Sequence, residues 1–261
     1  MEFAIVYHPQ DEAAANIIAH LEKLAPQLPI YSFQEKEHII FHNHLDKEVK
    51  EDFIIFASKH QSTQHNKTLT VHSIGNFNKA EFGGRPGKLC NASAFINKIL
   101  FKELQKQAQG SKYQCTLEAT HHGPYIEKPS CFIELGSTTE EWTDKKGGEI
   151  IAKTIRGFIE NFKHQNTKEL IPAVGIGAGH YCPSFTKIQS ATNYAISHVL
   201  PKYHMPFTEE MILELVNKTV EQPPRILVDW KGIGKQEEKQ HLLKILERLN
   251  LDYLRTDRIE K

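Results

Sequence analysis

Cysteine is scarce in this sequence, and its four cysteines stand far apart. Cys90, Cys115, Cys131 and Cys182 include no C-x-x-C pair. A disulfide framework and a structural zinc knuckle both need closely spaced cysteines, so the sequence fits neither class. Widely spaced free thiols suit a reducing compartment, and we predict a cytoplasmic protein.

Long apolar runs are also missing. The chain begins MEFAIVY, without a basic segment in front of an apolar stretch, and no later run approaches membrane-spanning length. A bilayer span needs about 20 consecutive apolar residues. We therefore expect neither a signal peptide nor a membrane anchor.

An excess of charge of one sign is absent as well, since 32 Lys and Arg balance 32 Asp and Glu. No overall field therefore attracts nucleic acid. The distribution is uneven, however: residues 46–112 hold eleven basic residues against six acidic ones, and residues 1–45 hold two against six. The middle block, which carries Arg85 and Lys88 in a loop rich in Gly and Pro, is a candidate basic face for phosphates.

Three common catalytic motifs are not found. There is no G-x-S-x-G elbow and no H-E-x-x-H helix, and GIGAGH fails the dinucleotide pattern because His180 takes its sixth position. We interpret Gly177 and Gly179 instead as positions where backbone N–H groups approach a phosphate or an oxyanion. A tight structural turn is the alternative.

The apolar patterns that are present alternate between strand and helix. Predicted strands cover residues 3–7, 30–33, 38–41, 53–57, 69–71, 115–119, 131–135, 171–176 and 225–230. Predicted helices cover residues 11–24, 92–107, 149–164, 208–216 and 236–249, and residues 194–200 fit either state. This order predicts an α/β fold with a mixed, mostly parallel sheet and helices on both faces. No linker divides residues 1–261, so we predict a single domain.

Histidine recurs at the ends of the predicted strands. His60, His72, the pair His121–His122 and His180 each follow an apolar run. Strand ends of one sheet meet along an edge, so we expect that edge to collect these imidazoles. Imidazole suits general acid–base catalysis and metal ligation near neutral pH.

The stretch EATHHGP carries the strongest chemical signal. Glu118 together with His121 or His122 is a candidate base system, with Lys59 and His60 as further catalytic candidates and Lys59 as an oxyanion stabiliser. Adjacent side chains of a regular strand point to opposite faces. His121 and His122 therefore converge only if the backbone turns before Gly123; otherwise one is buried and the other exposed.

Glu134 lies in the apolar strand CFIEL, where a carboxylate must be paired, protonated or bound to a metal. A structural ion pair is one reading. The other is an open zinc site, for which His180 and Glu134 are the candidate ligands and Cys182 a possible third. Further residues follow strands in positions that suit substrate contacts: His72, Asn76, Ser137 and Thr138, with Trp142 and Tyr181 as surfaces for stacking on adenine.

Five strings, in this order and spacing, resemble the archaeal- and plant-type D-aminoacyl-tRNA deacylases: FASKHQS, LTVHSIGN, EATHHGP, IELGSTTEEW and GIGAGHYCPSFT. The resemblance implies hydrolysis of the ester between a D-amino acid and the terminal adenosine of tRNA, with mischarged glycyl-tRNA as a further substrate. It also implies zinc dependence, a cytoplasmic location and a fold similar to the sandwiches of peptidyl-tRNA hydrolases and nucleoside phosphorylases.

The partner implied is therefore the acceptor end of D-aminoacyl-tRNA, and we expect a monomer with no membrane or protein partner. Two alternatives stay open at this point. One is another enzyme on a similar sheet, a nucleoside phosphorylase or a metallopeptidase. The other is a tRNA-binding module without catalysis, which the zero net charge disfavours.

Overall fold

The computed structural model of the chain describes residues 1–34, 37–63 and 65–259. The strands in these residues are β1 (Phe3–Tyr7), β2 (Ile30–Ser32), β3 (Phe53–Gln61), β4 (Thr68–His72), β5 (Gly75–Asn76), β6 (Lys88–Leu89), β7 (Gln114–Leu117), β8 (Ser130–Ser137), β9 (Ile171–Ile176), β10 (Tyr194–Leu200), β11 (Arg225–Val228) and β12 (Tyr253–Arg255). The α-helices are α1 (Glu12–Leu24), α2 (Ala94–Gln107), α3 (Thr139–Trp142), α4 (Lys145–Asn161), α5 (Pro183–Ala191), α6 (Glu209–Asn217), α7 (Trp230–Ile233) and α8 (Gln236–Arg248).

The strands form two main sheets. The large sheet has the order β2-β1-β3-β8-β4-β7, and the small sheet has the order β10-β9-β11-β12. All pairs in the small sheet are parallel, whereas β4 runs antiparallel to β8 in the large sheet. The mixed, mostly parallel α/β architecture predicted from the sequence is confirmed, although its strands are divided between two sheets.

The two sheets are covered differently. Helices α1, α2 and α4 pack on one face of the large sheet, over residues such as Ile5, Ile55 and Ile133. Its opposite face carries Val6, Phe56 and Phe132 and is covered by loop segments. The expectation of helices on both faces was wrong for this sheet. It holds for the small sheet, which has α5 on one side and α6 and α8 on the other.

Most element predictions agree with the structure, and the differences have local causes. Residues 38–41 form a 3-10 turn instead of a strand, with Ile39 buried in the core. Strand β3 continues past Ala57 to Gln61 because β8 pairs with it along that length. The fourth helix begins at Lys145, capped by the Asp144 side chain, which accepts from the Lys146 N–H. Residues 194–200 are a strand.

No helix in the described ranges is long and apolar enough to cross a bilayer. The prediction of a single domain stays a prediction.

Candidate active site

The helix-free face of the large sheet carries three of the predicted site residues. His60 pairs with Gly136 in the parallel β3–β8 register, and Thr70 pairs with Glu134 in the antiparallel β4–β8 register. Because side chains alternate along a strand, His60, His72 and Glu134 all project from this face. The imidazoles therefore gather over the middle of a sheet face. The expectation that they would collect at one edge was wrong, since β4 runs in the opposite direction.

The segment after β7 joins the two sheets. The Ala119 N–H donates to the His180 carbonyl oxygen over 2.8 Å, and the Thr120 N–H donates to the Val199 carbonyl oxygen over 3.0 Å. This pairing holds Glu118 and His121 beside His180. Glu118 therefore lies past the end of the regular strand, and its Oε2 is 3.6 Å from His121 Nε2.

His121 and His122 do converge. His122 has φ +45°, in the left-handed region, so the backbone turns at this residue and does not continue as a strand. The two ring centroids are 4.3 Å apart, and each ring lies within 5.0 Å of the His72 ring. Of the two alternatives that the sequence left open, the structure shows the one in which both rings face the same cluster.

Glu118 lies at the centre of the cluster. Its Oε1 is 3.0 Å from His60 Nδ1, and its Oε2 is 3.0 Å from His180 Nε2. Glu134 lies between two further imidazoles, 3.7 Å from His60 Nδ1 and 3.6 Å from His72 Nε2. Both Glu118 oxygens and His72 Nε2 are buried, yet none of them meets a partner in hydrogen-bond geometry. Buried polar atoms without an aligned partner are uncommon, and a cation between these atoms would satisfy them.

Among the described residues, three sets of side chains could hold a metal ion, and in each set the ligand atoms lie within 4.8 Å of one another. They are His60, Glu118 and His180; His72, His121 and His122; and His72, Glu118 and Glu134. Three nitrogen and oxygen ligands with room for a fourth are typical of catalytic zinc.

Three imidazoles present their Nε2 atoms to the cluster. The Nδ1 atoms of His72, His121 and His122 lie 3.1, 2.8 and 2.6 Å from backbone carbonyl oxygens. A carbonyl only accepts, so each Nδ1 carries the proton and each Nε2 has a free lone pair. Metal-binding histidines are commonly oriented in this way by a second contact.

The pKa values of the cluster move in opposite directions. Burial would lower the pKa of His60, but the Glu118 and Glu134 carboxylates outweigh it and raise that pKa to about 11. Glu134 likewise raises the pKa of His72 against the effect of burial. Burial and the neighbouring His72 lower the pKa of His121 and bring that of His122 to about 3. Without a metal, His60 carries a positive charge, whereas His121 and His122 are neutral.

Two cavities meet at this cluster. The larger, here called the Tyr203 cavity, has a volume of about 840 Å³ and is bounded by Asn78, Lys79, Pro86, Tyr203 and His204. The smaller, here called the His38 cavity, has a volume of about 600 Å³ and is bounded by His38, Ile40, Ser58 and Glu134. Both share the same inner wall, formed by Phe82, His121, His122 and His180.

Some predicted residues lie at the margins of the site. Lys59 borders the His38 cavity, with its ammonium group 5.2 Å from the centroid of the Trp142 ring. The Trp142 Nε1–H donates to the His60 carbonyl oxygen, so this indole supports β3, and its stacking on adenine stays a prediction. The Tyr181 hydroxyl also contacts His60, at 2.6 Å from His60 Nε2.

Ser137 and Thr138 border neither of the two cavities. Thr138 forms a capping box with Glu141 at the start of α3, and the Ser137 hydroxyl is buried without a partner. The chain turns into α3 directly after β8, and the substrate contact predicted for Ser137 and Thr138 stays a prediction.

At the glycine loop, one of the two predicted backbone donors is already used. Gly177 has φ +103°, and its N–H donates to the Leu200 carbonyl oxygen over 2.9 Å. The Gly179 carbonyl oxygen lies 3.6 Å from the Cys182 thiol. The oxyanion contact predicted at Gly179 stays a prediction, and a structural turn stays the alternative. Cys182 lies outside the three metal-binding sets, and burial raises its pKa well above the usual range.

The remaining predicted residues belong to the loop that borders the Tyr203 cavity. The Asn76 amide donates to the Gly83 carbonyl oxygen over 2.9 Å and so anchors this loop. The Arg85 guanidinium stacks on the Tyr125 ring at 4.6 Å and contacts His44, and the Lys88 ammonium lies 3.6 Å from Glu214.

Sequence reasoning missed three residues of the cavities. His38 lies 3.2 Å from the buried Asp11 carboxylate, which also accepts from the Ser58 hydroxyl and the Lys59 N–H. Phe82 and Tyr203 are aromatic and strongly exposed. A phenylalanine directly before two glycines in a basic loop was the available signal for Phe82; nothing in the pattern marked His38 or Tyr203.

A sequence model of the D-aminoacyl-tRNA deacylase family matches residues 47–254. The chain belongs to this family. A D-aminoacyl-tRNA deacylase of Thermococcus onnurineus is 36% identical over 94% of this chain and 96% of that protein. One of Methanocaldococcus jannaschii is 30% identical over 93% of this chain and 95% of that protein.

The D-aminoacyl-tRNA deacylase family also accounts for the fold. The crystal structure of a conserved protein of unknown function superposes with a TM-score of 0.88 and 28% identity, covering 99% of this chain and 96% of that one. The matched range contains all members of the histidine–carboxylate cluster, here defined as His60, His72, Glu118, His121, His122, Glu134 and His180. Family membership favours the deacylase over the phosphorylase, metallopeptidase and binding-module alternatives.

Proposed function

We propose that the histidine–carboxylate cluster hydrolyses the ester of D-aminoacyl-tRNA, releasing the D-amino acid and free tRNA as a step of translation quality control. The observation that carries this proposal is the convergence of four strand-end histidine positions and two buried carboxylates between two open cavities. An aminoacyl ester is an activated substrate, so a positioned water with a base and an electrophile is sufficient chemistry.

We also propose zinc as the cofactor. The set of His60, Glu118 and His180 would hold one ion, and the set of His72, His121 and His122 has the same donor chemistry. The unaligned buried oxygens of Glu118 support this assignment, because a cation would satisfy both. When bound in such a site, zinc makes its water acidic near neutral pH and polarises a carbonyl group.

The chain's own residues have separate tasks in this proposal. Tyr181 holds His60 from the side away from Glu118, at 2.6 Å from Nε2. Backbone carbonyls fix the tautomers of His121 and His122, so the Nε2 of each faces the reacting centre as a proton acceptor. Asp11 orients His38 at the wall of the smaller cavity. The covering loops exclude bulk water from the sheet face.

The acceptor end of tRNA would approach over the loop of residues 78–88, where Arg85 and Lys88 can meet backbone phosphates. Mischarged glycyl-tRNA as a second substrate, a cytoplasmic location and a monomeric state stay predictions.

The test is deacylation of matched D-tyrosyl- and L-tyrosyl-tRNA, followed as loss of labelled amino acid. We expect rapid release from the D-ester only. His60→Asn should lower kcat by about 100-fold or more, because His60 contacts both carboxylates. His164→Asn, at an exposed helix end, is the matched control. Equal rates for the D- and L-esters, or full activity of His60→Asn, would contradict the proposal.

A further inference from the structure

The two cavities correspond to the two sides of the scissile ester. Its carbonyl carbon joins an aminoacyl group on one side to the ribose of a terminal adenosine on the other. The cavities meet at His121, His122 and His180 and extend from there in two directions. A substrate that spans the cluster must therefore place its nucleoside in one cavity and its amino acid in the other.

Two exposed aromatic side chains border the Tyr203 cavity. Phe82, 67% exposed, lies on the wall shared with the His38 cavity, whereas Tyr203, 54% exposed, borders the Tyr203 cavity and not the other. Large apolar side chains beside a polar site usually mark a binding surface. Every nucleobase has two flat faces, and stacking on aromatic rings is the general means by which proteins hold unpaired bases.

Backbone contacts on both sides of Phe82 fix the position of this exposed side chain. The Gly123 N–H donates to the Phe82 carbonyl oxygen over 2.9 Å, which attaches this loop directly after His122. Gly83 has φ +72°, and a Cβ there would lie 1.9 Å from the Ile40 carbonyl oxygen, so only glycine permits this approach. The backbone thus fixes the phenylalanine ring at the junction of the two cavities.

The opposite wall is attached to the same loop. Asn78 Nδ2 lies 3.0 Å from His204 Nδ1, and the His204 ring contacts Tyr203 at 4.8 Å between centroids. The Tyr203 cavity also carries Lys79 on its lining, and Arg85 follows on the same loop. These cations are placed for the phosphate that joins a terminal nucleoside to the rest of the chain.

The His38 cavity has a different character. It is the smaller of the two, and Glu134 and the His38 ring lie on its wall. A carboxylate and an oriented imidazole suit a compact group with a cationic amine better than a nucleobase.

We propose that the Tyr203 cavity binds the 3′-terminal adenosine of tRNA, with its base stacked on Phe82 and Tyr203, and that the His38 cavity receives the aminoacyl group. This assignment rests on the proposed function and specifies which part of the substrate each side of the cluster holds.

The experiment uses adenosine 5′-monophosphate as a probe, with binding measured by NMR titration of the whole chain. Phe82→Ala and Tyr203→Ala should each weaken binding by about 10-fold or more, because stacking is lost. Tyr203→Phe keeps the ring and should bind as the wild type does. Leu254→Ala, also exposed but on the edge strand β12, is the control for loss of a surface apolar group.

Two outcomes would overturn the assignment. One is adenosine monophosphate binding that Ile40→Ala weakens and Tyr203→Ala leaves intact, because that places the nucleoside in the His38 cavity. The other is no binding of the probe to the wild type at millimolar concentration. Since binding is read without turnover, failure of D-ester hydrolysis in the separate deacylation assay tests the proposed function and not this assignment.

Discussion

Glu118 is a buried carboxylate that three imidazoles share. His60, His121 and His180 each lie within 3.6 Å of one of its oxygens, and neither oxygen is aligned with a donor. A buried anion needs compensating charge. Without metal, the proton on His60 supplies it in part, since the Glu118 and Glu134 carboxylates raise the pKa of His60 to about 11. Zinc would take over this charge and displace the proton, because a metal ligand must be deprotonated.

Zinc binding to the metal-free chain at pH 7.5 should therefore release protons, about one for each chain from His60. Calorimetric titration in buffers of different ionisation enthalpy measures this number. In the variant Glu118→Gln the release should fall, because the carboxylate that raises the pKa of His60 is gone. Zinc binding without proton release would contradict this description of the cluster.

Tyr181 is the residue that orients His60. Removing its hydroxyl in Tyr181→Phe should lower zinc affinity by about 10-fold to 100-fold, the usual effect of losing a partner of a ligand. Competition with a chromophoric chelator measures the affinity. Tyr203→Phe removes a hydroxyl at an exposed position and serves as the control. An unchanged affinity in Tyr181→Phe would mean that the hydroxyl does not hold the ring.

At the scale of elements, the join between the two sheets depends on His198 in β10. Its Nε2 lies 3.1 Å from the Cys90 carbonyl oxygen, and its Nδ1 lies 3.1 Å from the Thr120 hydroxyl. The carbonyl only accepts, so the proton is on Nε2 and the ring is neutral. Burial lowers the pKa of His198 to about 4 against an ordinary value of 6.5. Thr120 lies next to His121, so this contact also positions the cluster.

The folded chain should lose stability in acid through His198. Between pH 6.5 and about 4, His198 binds a proton in the unfolded chain but not in the folded chain. The free energy of unfolding should fall by about 3 kcal/mol over this window from this group alone. In urea melts recorded from pH 7 to 4, the free energy of unfolding should fall less steeply with decreasing pH in His198→Gln than in the wild type. In His164→Gln it should fall as steeply as in the wild type. An equal decrease in the free energy of unfolding between pH 7 and 4 for His198→Gln and the wild type would contradict the assignment.

The elements also show where sequence reasoning ends. Strands such as β9 and helices such as α8 follow from apolar periodicity, which burial on one face imposes. The direction of β4 cannot be predicted from apolar periodicity, because a short apolar strand has the same pattern in a parallel and an antiparallel arrangement. For this reason the histidines were expected at an edge of the sheet and not on its face. The turn at His122 was equally hidden, since a left-handed φ at a histidine has no pattern in the sequence.

At the scale of the molecule, a chain with no net charge must still bind a polyanion. The basic loop beside the Tyr203 cavity offers local charge where the global field offers none. Binding of tRNA should therefore weaken with salt, with a modest slope set by the few phosphates contacted.

Arg85→Ala should reduce the slope of log Kd against log salt by about 1, because one phosphate contact is lost. Filter binding of uncharged tRNA from about 50 to about 300 mM KCl measures the slope. Arg225→Ala at the start of β11 removes an exposed arginine beside a separate cavity and is the control. If the Kd of the wild type for tRNA did not change with salt concentration, the basic loop would not bind phosphates as proposed.

The central claim is that zinc in the histidine–carboxylate cluster supports hydrolysis of the D-ester. Its most direct measurement is the rate of D-tyrosyl-tRNA deacylation before chelation, after chelation and after zinc is returned, with metal content determined in parallel. We expect activity to be lost and regained together with bound zinc, and L-tyrosyl-tRNA to persist throughout. Full activity in protein that contains no metal would contradict the account.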